Sequence, residues 1–290
     1  MELLESNICI NDGLFDIREA EPKMDSSEYL TSQICSAAQF ETAIFAKWLK
    51  EIKEQNRYHR KQWEFVFILQ ALFERGLLRP GKKGLGFGVG QEPLAAVMAK
   101  HGVQILATDQ NQEEAARVGW AQTQQVLTSL DVLNNRLICH PAIFQRLVKT
   151  REVDMNDIPE DIKDYDFNWS SCAFEHLGSI EHGLNFIKNC LKTLKPGGIA
   201  VHTTEYNLSS NDETLNEGIC VIFRKQDFQK LIKELKAEHH EIYMNFNFHS
   251  QNKLDKVVDF PPYSSDEHLK LALGNYVTTS VGLIVRKNLN

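Results

Sequence analysis

An α/β fold with a largely parallel central sheet is predicted by three observations. A glycine-rich turn joins a short strand to a helix at residues 83–92. A second apolar strand then ends on an aspartate, Asp109. Beyond it, strand-like and helix-spaced segments alternate to the end of the chain, the pattern of βαβ units.

The glycine-rich turn is Lys83-Gly84-Leu85-Gly86-Phe87-Gly88-Val89-Gly90-Gln91-Glu92. Glycine permits a sharp bend and lets a ligand approach the backbone closely. The helix that begins near Pro93 points its unpaired N–H groups and the positive end of its dipole into the same turn. Leu94, Val97 and Met98 keep helical spacing until His101-Gly102 stops the helix. Val103 to Thr108 reads as a buried strand, with Asp109 and Gln110 at its carboxyl end. Strand, glycine loop, helix, strand, and an acid about 20 residues beyond the glycines form the Rossmann-type order, in which a carboxylate holds ribose hydroxyls. The Gly-x-Gly-x-x-Gly of dinucleotide dehydrogenases is not met, because position 91 is Gln.

Length and composition set the bounds. A chain of 290 residues suits one large domain or one domain with an extra subdomain. Hydrophobic residues make up 42% and charged residues 24%, as in ordinary soluble proteins. A net charge of −7 argues against an extended nucleic-acid surface. No apolar run reaches the roughly 18 residues of a membrane span, and Met1-Glu2-Leu3-Leu4-Glu5 is no signal peptide. Six scattered cysteines with no Cys-x-x-Cys pair predict reduced thiols in the cytoplasm, without a zinc or disulfide framework.

Before the glycine turn, residues 1–79 are expected to form a helical cap. Leu30, Ile34, Ala37, Phe40, Ile44, Phe45, Trp48, Leu49 and Ile52 recur at helix spacing, and a second helix runs from about Arg60 to Gly76. Tyr58-His59-Arg60-Lys61-Gln62-Trp63 sets basic groups beside aromatics, which suits an anion or the polar end of a ligand. After Asp109, Asn111-Gln112-Glu113-Glu114 opens a helix that continues through Val126. Residues 131–135 read as a loop, His140-Pro141 starts a short helix, and Arg151 to Val153 is a short strand ending at Asp154-Met155-Asn156. Tyr165 to Cys172 is the fourth strand, followed by Phe174-Glu175-His176-Leu177-Gly178. The helix from Ile180 is expected to end at Lys195-Pro196-Gly197-Gly198. Ile199 to Thr204 is the fifth strand, with Glu205-Tyr206-Asn207 at its end. Leu208 to Gly218 is a polar loop near the site, Lys225 to Glu238 an amphipathic helix, Glu241 to Phe248 a strand, and Tyr276 to Val285 the last strand. An irregular insertion around residues 250–272 carries Pro261-Pro262-Tyr263.

From the glycine loop onward the sequence resembles the class I S-adenosylmethionine-dependent methyltransferases. Gly86, Gly88 and Gly90 match the glycines of their acid-x-Gly-x-Gly-x-Gly motif, and Leu194-Lys195-Pro196-Gly197-Gly198 entering a strand matches another. Gly84 departs from the pattern where the acid usually stands. The resemblance covers residues 80–287. It implies a Rossmann-like seven-stranded sheet, mostly parallel with an antiparallel last strand, in a catalytic domain of residues 80–290 behind the N-terminal cap. The implied cofactor is S-adenosyl-L-methionine, with S-adenosyl-L-homocysteine as product. Gly86, Phe87, Gly88, Gly90, Asp109, Gln110, Asp154, Met155, Asn156, Ser170 and Ser171 are its expected contacts, with Asp154, Met155 and Asn156 toward the adenine.

Ligands of open α/β sheets bind at the carboxyl ends of the strands, and all these residues are expected on that edge. A methyl donor of this kind needs an aligned acceptor, exclusion of water and often a base. His176, with Glu175 beside it, is the preferred base, because imidazole titrates near neutral pH. His202 and Glu205 are second candidates, able to share a pocket only if the strand ends at Thr204. No tight ligand spacing calls for a metal. Arg60, Trp63, Tyr206, Asn207 and Tyr263 are the expected substrate contacts. The acidic balance favours a small-molecule acceptor, such as a sugar, a metabolite or a natural-product intermediate, methylated on oxygen or nitrogen. A protein or RNA methyltransferase and an inactive Rossmann-like binding protein are the alternatives, and a homodimer is compatible with all three.

Overall fold

The computed structural model describes residues 29–111, 127–248, 252–263 and 267–290. Among the described residues, twelve strands and six α-helices follow one another in this order: β1 (Ser32–Ile34), α1 (Ala43–Glu51), α2 (Arg60–Glu74), β2 (Lys83–Gly86), α3 (Leu94–Lys100), β3 (Gln104–Asp109), α4 (Pro141–Leu147), β4 (Val148–Glu152), β5 (Tyr165–Ser171), β6 (Gly178–Ser179), α5 (Ile180–Cys190), β7 (Leu194–Asn207), β8 (Glu217–Gly218), α6 (Lys225–Ala237), β9 (Glu241–Ile242), β10 (Met244–Asn245), β11 (Leu271–Leu273) and β12 (Tyr276–Arg286).

The main sheet runs β10-β1-β12-β7-β5-β2-β3-β4, with β9 and β11 also paired to β12. From β4 to β7 all neighbours are parallel, and β12 lies antiparallel to β7 from Thr278 opposite Asn207 to Arg286 opposite Ile199. This is the mostly parallel sheet with an antiparallel last strand that the sequence predicts. The chain leaves β2 toward β3 on one side and reaches β5 on the other, so the strand order reverses at β2. In open α/β sheets that switch point is where ligands bind.

The two sheet faces are covered differently. On one side α1, α2 and α3 build a core around Trp48, Trp63, Phe67, Phe167 and Trp169. On the other, α5 and α6 enclose Phe87, Phe174, Phe186, Phe223 and Phe228. The central strands read as near-continuous apolar runs because both faces are buried.

Several segments differ from the sequence expectation, each for a local reason. Residues 30–34 are not helical: β1 joins the sheet, pairing Gln33 with Gly282 and Ile34 with Val281. The edge of β12 needs a partner, and Ser32 Oγ accepts from the Ile284 amide at 2.9 Å, which outweighs helical spacing over so short a run. The N-terminal segment therefore contributes a strand to the sheet as well as helices. The loop expected at 131–135 is a 3-10 turn, Leu130–Asn134. Strand β4 starts at Val148, straight out of α4, three residues before the expected Arg151. Helix α5 stops at Cys190, and Lys195-Pro196-Gly197-Gly198 belongs to β7. Strand β7 continues through Asn207, because β12 pairs with it that far. The strand expected over 241–248 is split into β9, which pairs with β12, and β10, which pairs with β1. The helix expected after Asn111 lies outside the described residues. Among the described residues no helix is long and apolar enough to cross a membrane.

Candidate active site

The glycine loop is clamped from both sides by its neighbouring strands. Phe87 N donates to the Trp169 carbonyl at 2.9 Å and Val89 N to the Thr108 carbonyl at 3.1 Å. Thr108 Oγ1 donates to the Gly86 carbonyl at 2.7 Å. Gly88 adopts φ +57°, and a Cβ there would stand 2.8 Å from Ala173 Cβ and 3.4 Å from Met155 Sδ. Only glycine fits that left-handed, close-packed position.

Asp109 closes the same corner. Its carboxylate accepts from Gly90 N at 3.2 Å, Gln110 N at 2.9 Å and Leu127 N at 2.8 Å. Burial pushes the carboxyl upward, and the three amides oppose this. The aspartate at the end of β3 therefore also ties the glycine loop to the segment that follows.

A crevice of about 840 Å³ opens above these residues at the carboxyl ends of β2, β3, β4 and β5. That is the size of a site for a drug-sized ligand. Gly88, Asp109, Gln110, Asp154, Met155, Asn156 and His176 line it, as expected from the sequence, together with Glu152, Cys172, Leu177 and Ile219. Phe87, buried in the α5-side core, and Gly86, packed on Trp169, support the loop from behind. Ser170 and Ser171 also turn away from the crevice: Ser170 Oγ is 2.8 Å from His202 Nδ1, and Ser171 Oγ donates to Glu64 Oε2 at 3.0 Å.

The expected catalytic residues divide into two groups. His176 lies on the crevice wall in a 3-10 turn. Its Nδ1 is 2.8 Å from the Ile219 carbonyl, so Nδ1 carries a proton and donates to it. Ile219 is held there by the ribbon of β6 and β8, where Gly178 pairs with Gly218. Glu175 is buried beneath His176, with Oε1 3.9 Å from His176 Nε2 and Oε2 accepting from Thr204 Oγ1 at 2.9 Å. His202 and Glu205, by contrast, point to opposite faces, since the strand continues past Thr204. His202 is fully buried against Phe174 and Phe186, with Cys190 Sγ at 3.4 Å. Burial pulls its imidazole down to about 3, a core histidine and not a base.

The substrate residues expected from the sequence are not brought together. Trp63 is 2% exposed and stacks on Phe67 in the core, because the helix turns it toward the sheet. Tyr206 stacks on Phe228 inside the other core. Asn207 secures its own loop, accepting from Ser209 N and Ser210 N. Tyr263 donates to the Ala272 carbonyl at 2.7 Å. Arg60 alone of the five approaches the site, through an ion pair with Glu205 and a 3.6 Å contact with Cys172 Sγ.

Beside Arg60 stands a residue the sequence reading missed. Glu64, fully buried in α2, meets Arg60 at 3.6 Å and Lys61 at 3.0 Å. It also accepts from Cys172 Sγ at 3.0 Å and from Ser280 Oγ. Burial alone would raise its carboxyl, but Lys61 and Arg60 hold it at about 2. The signal was present: a lone acid in Trp63-Glu64-Phe65-Val66-Phe67, three and four residues after two cations, is a buried charge that must be paired.

The departure at Gly84 has a steric cause. A Cβ there would lie 2.5 Å from the Phe167 ring and 2.9 Å from Ile105 Cδ1, so no acid can occupy the position. The rest of the site fits an adenosyl ligand: the cradle at Gly88, the carboxylate of Asp109 and the apolar Val153 and Met155 share one crevice.

Residues 85–202 match the family described as methyltransferase domain. No curated protein sequence matches the chain. Among solved structures it is similar to a putative sarcosine dimethylglycine methyltransferase from Galdieria sulphuraria, at 16% identity and TM-score 0.45 over 79% of this chain and 85% of that one. It is similar to the magnesium protoporphyrin IX methyltransferase of Synechocystis PCC 6803 with bound SAH, at 12% identity and TM-score 0.43 over 87% and 97%. The assignment rests on the domain match, which spans the strand–glycine loop–helix–strand–Asp109 order and the crevice above it. Residues 85–202, which hold the end of β2, the glycine loop, Asp109 and β5, are thus a methyltransferase domain, as the resemblance to the class I S-adenosylmethionine-dependent methyltransferases implies.

Proposed function

We propose that this methyltransferase methylates an oxygen or nitrogen of a small molecule, with His176 as the group that takes the acceptor's proton. The observation that carries this reading is the placement of His176. It lines the crevice wall five residues past the end of β5, its ring oriented by Nδ1–H donating to the Ile219 carbonyl. The cofactor, when bound, supplies an electrophilic methyl group. The chain's own tasks are then to hold it and to aim the acceptor. Asp109 faces the crevice with a carboxylate fixed by three amides, and Asp154, Met155 and Asn156 form the wall across from it. The β6–β8 ribbon carries Gly178 and Gly218, which with the adjoining Leu177 and Ile219 form one side of the crevice. A crevice of about 840 Å³ and a net charge of −7 favour a small acceptor over a polyanion.

The test begins with calorimetric titration of S-adenosylhomocysteine. One site per chain is expected, with affinity at least tenfold weaker in Asp109→Asn. His176→Gln should bind the product normally yet lower turnover of a competent acceptor by about 10²–10⁴, the usual contribution of a positioned base. Normal turnover in His176→Gln would remove the base assignment, and absence of product binding would remove the whole reading.

A further inference from the structure

One buried carboxyl beside the glycine loop takes no part in the cofactor contacts expected from the sequence. Glu92 is the only acid of residues 83–92, and it stands at the end opposite Gly84, where no side chain fits. Trp169 grips the loop at both ends. Its carbonyl accepts from Phe87 N at 2.9 Å, and its indole Nε1 donates to Glu92 Oε1 at 2.6 Å. Glu92 N folds back onto the Val89 carbonyl at 3.2 Å. Held in place by these two bonds, the carboxyl offers its second oxygen, Oε2, which the indole does not engage.

The charges around it favour a cation. Asp109, which lines the crevice, faces it from the end of β3, and Lys61 and Glu64 face it from α2. From β5 comes only the neutral indole of Trp169. Two acids against one ammonium leave the surroundings negative, and Lys61 is itself held by Glu64 at 3.0 Å and by the Ser171 carbonyl at 3.3 Å. Burial first, and then the two acids, push the Glu92 carboxyl up to about 8. Empty of ligand, the group is a neutral acid at pH 7. A cation placed beside it drives the proton off, because an adjacent opposite charge favours the ionised form. The demethylated product of S-adenosylmethionine carries a single cation, the α-ammonium of its amino-acid end. The loop that bears Glu92 also borders the crevice at Gly88.

We propose that Glu92 is the seat of the cofactor's α-ammonium group and gives up a proton when the cofactor binds. This deepens the methyltransferase reading and rests on it. The carboxyl O–H bond breaks, its proton passes to solvent, and the carboxylate pairs with the ammonium in a charge-assisted hydrogen bond, stronger than a neutral one. The indole on one oxygen and the ammonium on the other then satisfy the buried carboxylate. Cofactor affinity becomes linked to pH. Below about 8 each binding event must remove a proton that the free protein holds, so affinity rises with pH up to that point and levels off above it.

The full chain is titrated calorimetrically with S-adenosylhomocysteine at pH 7, once in phosphate and once in Tris, buffers with very different heats of protonation. The difference in apparent enthalpy counts the protons released. A carboxyl with its midpoint near 8 is about nine-tenths protonated at pH 7, so the parent should release about 0.9 more proton per ligand than Glu92→Gln. The variant should also bind S-adenosylhomocysteine about tenfold more weakly, or worse, for loss of the charged pair. Methylthioadenosine, which keeps the nucleoside and the sulfur but lacks the amino-acid end, should bind parent and variant alike and release no proton. Circular dichroism confirms that the variant is folded. An equal proton count in parent and variant, equal affinity of the two for S-adenosylhomocysteine, or an equal loss of methylthioadenosine affinity in the variant overturns the inference and leaves the methyltransferase reading standing. No binding of S-adenosylhomocysteine by the parent removes that reading, and the inference with it.

Discussion

Glu92 is a buried carboxyl whose ionisation the fold resists. It follows the glycine loop, is 8% exposed, and its Oε1 accepts from Trp169 Nε1 at 2.6 Å. Burial pushes its carboxyl up to about 8 from the ordinary 4.5, despite the indole bond. Below pH 4.5 both folded and unfolded chains hold the proton, and the group is neutral in its effect. Between 4.5 and 8 the unfolded chain releases the proton while the folded chain keeps it, so stability falls as pH rises. The slope is about 1.4 kcal/mol per pH unit, at most about 5 kcal/mol by pH 8. Glu92→Gln removes the ionisation, and its amide oxygen still accepts the indole N–H. Urea unfolding followed by tryptophan fluorescence at several pH values between 5 and 8 should show the variant nearly equal to the parent at the acid end. It should be more stable by several kcal/mol at the alkaline end. A stability difference that stays constant with pH would refute the reasoning.

Much of this molecule is legible in its sequence where one signal dominates. The order β2, glycine loop, α3, β3, Asp109 follows from turn chemistry, apolar runs and an acid at the right distance, and it sets the crevice in place. Asp154, Met155 and Asn156 reach the same edge because the third strand of such a sheet must end there. The misreadings share a different cause. Leu30 to Ile34 satisfies a helical period and a strand alternation alike, and only the free edge of β12, 250 residues away, decides between them. The face on which His202 lies depends on where β7 ends, and that is fixed by β12 pairing as far as Asn207. Trp63 and Tyr206 are aromatic near the site in sequence, yet burial of their large apolar surface draws them into the two cores. Glu64 and Glu92 were invisible for the converse reason. A charged residue inside an apolar run is a partner for something, but sequence does not name the partner.

The remaining predictions concern close packing and the buried charges. Gly84→Ala should lower stability by about 1–3 kcal/mol in urea unfolding, since its Cβ would meet the Phe167 ring at 2.5 Å; no loss would mean the ring is free to move. Gly88→Ala sets a side chain at φ +57° and 2.8 Å from Ala173 Cβ, costing about 1–2 kcal/mol in conformation alone, and should weaken product binding at least tenfold by calorimetry. The most informative change is Glu64→Gln. It keeps the shape of the side chain and one acceptor oxygen, for either Ser171 or Ser280, but replaces the other oxygen with an NH2 and removes the charge facing Arg60 and Lys61. Breaking one partner out of a buried ionic cluster costs about 3–5 kcal/mol, because the others keep their desolvation without the attraction. The carboxyl is held near 2, well under its ordinary value, so its contribution is complete above pH 4.5 and is lost as pH falls toward 2. Acid titration of stability should therefore be steeper in the parent than in the variant by about 1.4 kcal/mol per unit across that window. A variant within about 1 kcal/mol of the parent at pH 7, with the same acid slope, would mean that the cluster joining α2 to the crevice floor is not held together by charge.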